Sequence, residues 1–91
     1  MDDLKEAVSK QSQAVEGTVE GHPDLAGRLN NLGSMLASRF ERTGRMKDLE
    51  ESIRRTQQAV DITSQDHPNL AMYLNNFGRR LCLSSQPGHR D

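Results

Sequence analysis

The stretch HPDLAGRLNNLG, from His22 to Gly33, returns 45 residues later as HPNLAMYLNNFG, from His67 to Gly78. The correspondence extends outward from this block without a gap. Met1 falls on Met46, Asp3 on Asp48, Leu4 on Leu49 and Glu6 on Glu51, and Gln13-Ala14-Val15 falls on Gln58-Ala59-Val60. About eighteen of 45 pairs are identical, and others are conservative, such as Val8 with Ile53. A fixed period of this length is the mark of a tandem structural repeat.

Each unit reads as two helices. Between Pro23 and Arg42 the apolar residues Leu25, Leu29, Leu32, Leu36 and Phe40 follow the 4-3-4-4 spacing of one helical face. The second copy gives Leu70, Leu74, Phe77 and Leu81, and the other helix of each unit shows Leu4, Val8 and Val15, then Leu49, Ile53 and Val60. Pro23 and Pro68 suit the first position of a helix, where a missing N–H is not missed. Asp24 adds negative charge beside that helix start. Gly44, after Arg42 and Thr43, suits a left-handed C-terminal residue. The fold class is therefore all-α, a stack of antiparallel helix pairs with four helices. The expected organisation is a lone second helix over 1–20, a complete pair over 23–64, a lone first helix over 68–83 and a disordered tail over 84–91, where Pro87-Gly88 interrupts any pattern.

Composition narrows the function. Twelve Lys and Arg stand against thirteen Asp and Glu, for a formal net charge of −1. A nucleic-acid partner is not expected, because phosphate neutralisation calls for a basic excess. Phe40, Phe77 and Tyr73 are too few for a base-stacking platform. No stretch has the apolar length of a bilayer span, so no membrane partner is expected either. Cys82 is the single cysteine and has no partner for an internal disulfide, which fits a reducing compartment and a cytoplasmic location.

No nucleophile with a base, no zinc-ligand spacing and no phosphate loop after a strand is present in the sequence. A non-enzymatic chain without metal or cofactor is the expectation. His22 and His67 read as helix-entry residues, each directly before a Pro, and His89 lies in the tail. Glu6 with Lys10, Glu50 with Arg54 and Glu51 with Arg55 stand four apart, the spacing of pairs on a solvated helix face. Arg39, Arg42 and Arg45, with Arg79 and Arg80, form a modest basic side suited to acidic partner segments.

The doubled block resembles the tetratricopeptide repeat, in the longer-unit form found in kinesin light chains, and the resemblance spans about residues 1–83. Gly33, Ser52 and Ala59 match that family's small close-packing positions, whereas Leu29, Leu36 and Thr56 stand where it often has large aromatics. The resemblance implies a right-handed superhelix whose first helices line a groove for a peptide of a partner protein. On a helical wheel Asn31, Ser34 and Ser38 lie opposite the leucines, with Asn76, Arg79 and Leu83 on the same face of the second copy. The family assigns an asparagine at the position of Asn31 and Asn76 to the backbone of a bound peptide. The expected partner-binding groove is thus Asn31, Ser34, Ser38, Asn76 and Arg79.

Asn30 and Asn75 border a stripe of small residues, Ala26, Gly33 and Ala37, repeated as Ala71, Gly78 and Cys82. Both asparagines read as structural, and Cys82 as a small buried residue. The chain starts in phase with a second helix, so only one pair is complete. Helical repeats usually need three or more units, which points to self-association or to membership of a longer array. Similar repeats also form non-catalytic arms of large NTPases and caspase-like peptidases.

Overall fold

The computed structural model describes residues 2–85 as four consecutive helices: α1 (Asp2–Glu16), α2 (Leu25–Thr43), α3 (Met46–Ile62) and α4 (Leu70–Ser85). Each helix packs on the next one in the chain, and α2 and α3 share the most extensive interface. The result is a slab of 38 × 27 × 15 Å, a short stack in which α2 and α3 are each flanked on both sides.

The ends of the helices follow from local chemistry. Gly44 ends α2 at φ 74° and donates its N–H to the Phe40 carbonyl at 2.7 Å, the left-handed cap that only glycine adopts without cost. The helix starts lie two residues later than the prolines suggest. Pro23-Asp24 and Pro68-Asn69 occupy tight turns in which the Leu25 and Leu70 amides reach back to the carbonyls of His22 and His67, both at 3.1 Å. In each turn the histidine Nδ1 accepts the backbone N–H two residues on, Asp24 in the first copy and Asn69 in the second, at 3.0 Å. One otherwise orphaned amide is satisfied at each entry, so the turn replaces the first helical residues. At the other end, Ser84 and Ser85 belong to α4 and not to a tail, because their hydroxyls donate to the Leu81 carbonyl at 2.8 and 3.1 Å. The remainder of the expected tail, 86–91, lies outside the described residues.

The core gathers on α2. Leu29, Leu32 and Leu36 are almost fully buried against Val8 and Val15 of α1 and Ala59 of α3, with Tyr73 of α4 joining the cluster. Between α2 and α3 the approach is closest at Gly33. A methyl group added there would stand 2.5 Å from Thr56 Oγ1 and 3.2 Å from the Ser52 carbonyl. The Ser52 hydroxyl donates to the Gly33 carbonyl at 2.6 Å, and the Thr56 hydroxyl to the Ser52 carbonyl at 2.8 Å. Both residues are completely buried. Near the turn, Arg39 grips buried Asp48 through two parallel bonds of 3.1 and 2.9 Å, a fork that joins the last turns of α2 to the first turn of α3.

Helix α4 departs from the expected burial. Leu74 and Leu81 are 47% and 41% exposed, whereas Tyr73 and Arg80 are buried. Cys82 is exposed, not a small buried residue. Ala71 and Gly78 are likewise exposed, and so is Asn75. The reason is one of coverage: α2 lies between two helices and uses two faces, while α4 packs along α3, reaches α2 through a few side chains and leaves its other face open. Surface ion pairing also differs from simple spacing, since Glu51 takes both Arg54 and Arg55, at 3.2 and 2.8 Å.

The two matched glycines are expected to respond oppositely. Gly33→Ala should destabilise the chain by about 1–3 kcal/mol through overpacking. Gly78→Ala meets nothing within 4 Å and should stabilise dilute chain by up to about 1 kcal/mol through helix propensity. Urea denaturation followed by circular dichroism separates the two. By the same measurement Arg39→Met, which strands the Asp48 carboxylate, should cost about 1.5–3 kcal/mol.

Candidate interaction groove

A valley runs between the first helices of the two copies, α2 and α4. Near its middle the Asn76 amide bridges it, donating to Asn30 Oδ1 at 3.2 Å, and Arg80 also reaches across to Ser34. On one side of that bridge is a cleft of about 240 Å³, where Ser34 and Ser38 of α2 face Asn76, Arg79 and Arg80 of α4. On the other side is a larger cleft of about 590 Å³, bordered by the two His-Pro turns, Asn31 and Tyr73.

The structure therefore brings four of the five expected groove residues together. Ser34, Ser38, Asn76 and Arg79 share the smaller cleft, and Asn31 stands exposed along the wall of the larger one. Asn76 is half-buried and partly committed to Asn30, so only a portion of its amide faces open space. The asparagines do not sort by repeat position. Asn30 is buried beneath the valley, while its counterpart Asn75 is exposed, because the corresponding side of α4 is uncovered.

Arg80 is the most unusual member of the cleft. It is only 8% exposed, with Nη1 donating to Thr56 Oγ1 at 3.3 Å and Nη2 to Ser34 Oγ at 2.9 Å. Both acceptors are neutral hydroxyls. Among the described residues no carboxylate closes an ion pair with it. Burial, and secondarily the charge of Arg79, lower the guanidinium's hold on its proton, and Glu41 opposes them. A guanidinium remains charged at any ordinary pH, so the cleft contains a desolvated positive charge whose counter-charge is incomplete. Arg79 adds a second, exposed cation at the rim.

Arg80 is not among the groove residues expected from the sequence, yet the sequence contains a signal for it. The 45-residue offset places Arg80 on Met35, a half-buried position beside the core, and an arginine replacing a methionine at an interior position asks for a partner. The fork between Arg39 and Asp48 carried a weaker signal, nine residues apart across a tight turn. It removes Arg39 from the basic side that the sequence predicts. Among the described residues no group of three His, Cys, Asp or Glu could hold a metal ion, and no helix is long and apolar enough to cross a membrane.

A family model for the tetratricopeptide repeat matches residues 25–69. The matched segment is one repeat long, opens at the first residue of α2 and takes in the whole of α3, so the pair with the close contact at Gly33 is the complete unit. No significant similarity to a curated protein or to a solved structure accompanies it. An all-helical chain with a self-matching 45-residue period, a helix pair closed over a glycine and this family match belongs to the tetratricopeptide repeat family.

Proposed function

We propose that the chain binds an acidic segment of a partner protein in the valley between α2 and α4. Tetratricopeptide repeats are in general protein–protein interaction modules and non-catalytic scaffolds. The finer reading rests on one observation, the buried and incompletely countered guanidinium of Arg80 beside Arg79. A carboxylate arriving from a partner supplies the missing charge in a place where water screens it poorly, and charge-assisted bonds to arginine are about twice as strong as neutral ones. Ser34 and Ser38 add hydroxyls, and Asn76 offers the remaining valences of its amide to the main chain of an extended segment. Asn31, farther along the valley, is positioned for the same segment as it continues past the Asn30–Asn76 bridge.

The stability of the free chain and its affinity for such a segment are then set against each other at one residue. Arg80→Met restores the residue of the first copy and removes a desolvated charge. It should leave the fold intact and unchanged or raised in stability by about 1 kcal/mol, as when buried ionic groups are replaced by apolar ones of similar size. Binding should behave oppositely. Fluorescence anisotropy with a short labelled peptide of alternating Glu and Ser should show saturable binding that weakens as salt is added. A peptide of alternating Lys and Ser should not bind. Arg79→Ala and Arg80→Met should each weaken the acidic peptide about tenfold, a loss of about 1.4 kcal/mol. Equal binding of the two peptides, or unchanged affinity in both variants, would refute the assignment.

A further inference from the structure

The exposed face of α4 has a counterpart in the same molecule whose partner is known. Leu74, Gly78, Leu81 and Cys82 correspond by the 45-residue offset to Leu29, Gly33, Leu36 and Ala37, which are buried residues of α2. Gly33 is the point at which α2 meets α3. In α4 the same face is open: Leu74 is 47% and Leu81 41% exposed, and nothing lies within 4 Å of a methyl group built on Gly78.

Helix α1 shows the complementary deficit. It corresponds to α3, and its Val8 and Val15 are buried against α2 as members of the core cluster. The positions of α3 that are completely buried, Leu49, Ser52, Thr56 and Ala59, fall on Leu4, Ala7, Gln11 and Ala14 of α1. All four are only half-buried. Helix α1 thus leaves open the face that α3 presents to α2, and α4 leaves open the face that α2 presents to α3.

We infer that this chain associates head to tail, with the open face of α4 of one copy receiving α1 of a second copy in the arrangement that α3 takes on α2. The match in chemistry is direct. Gly78 leaves room for close approach, Ala7 and Ala14 present the small side chains that such an approach needs, and Leu74 and Leu81 gain cover against Leu4. The copied interface is weaker than its template. Ala7 has no hydroxyl to repeat the Ser52 bond to the Gly33 carbonyl, the longer Gln11 stands where Thr56 fits over Gly33, and Ser84 stands where Arg39 forms its fork. Because the two faces differ, each new copy exposes the same pair again, and the association continues past a dimer. The surface is separate from the acidic-peptide cleft, since Leu81, Ala7 and Ala14 do not line it.

Sedimentation equilibrium across a concentration series of the 91-residue chain tests this. The average mass should start at the 10.2 kDa of one chain and climb past two copies. Leu81→Glu, which blocks the α4 face, should hold the chain at one copy with its helical circular dichroism unchanged, and so should Ala7→Arg, which blocks α1. If Ala7→Arg loses helicity, Ala14→Lys serves in its place. An equimolar mixture of the two blocked variants retains one intact face of each kind and should form a dimer that grows no further. A single-copy mass at every concentration, a natural-sequence complex that stops at two copies, or a mixture that stays monomeric would each overturn the inference. Acidic-peptide binding is read separately and is expected to survive in Leu81→Glu.

Discussion

The structure depends on how near α3 can come to α2 at Gly33. With no side chain there, the Ser52 hydroxyl reaches the Gly33 carbonyl and Thr56 fits over the gap. From that contact a chain of bonds passes through all three later helices. Ser52 donates to Gly33, Thr56 donates to Ser52, Arg80 donates to Thr56, and the other end of Arg80 returns to Ser34 on α2. The Ser52 and Thr56 hydroxyl protons each have an acceptor. Among the described residues no buried side-chain polar atom is left without a partner, which is what allows serine, threonine and arginine to stand where a helical repeat usually has apolar groups. The cleft is a by-product of the same loop, because Arg80 is drawn inward to complete it.

Helix number, helix phase and the site of closest packing were legible in the sequence. They rest on short-range rules: apolar spacing near 3.6 residues, a glycine that ends a helix, and a repeat that supplies two readings of every position. The tight His-Pro turns were half legible. Proline predicted a helix start nearby, but not that the preceding histidine would use Nδ1 to hold the amide two residues on and so delay the helix to Leu25 and Leu70.

Burial was legible only where both neighbours of a helix are present. The spacing of Leu70, Leu74, Phe77 and Leu81 is as regular as that of α2, and by periodicity alone the two helices are alike. They differ in what lies against them, which periodicity does not contain. The same limit applies to the asparagines: Asn30 and Asn75 occupy one repeat position and differ completely in exposure. For the groove, face geometry placed Ser34, Ser38, Asn76 and Arg79 together. It left out Arg80, whose significance comes from charge at an interior position and not from its place on the wheel.

The two-sided coverage of α2 and α3 also has a consequence for how the molecule opens. Residues buried on both sides exchange their amide hydrogens only when the domain as a whole comes apart, whereas a helix held along one side can detach by itself. The middles of α2 and α3 should then be the slowest-exchanging segments, with α1 hinged on α2 and α4 hinged on α3 as separate, less protected units. Unfolding in such a stack is graded from the ends inward, and its cooperativity is a property of the number of covered faces more than of the number of residues.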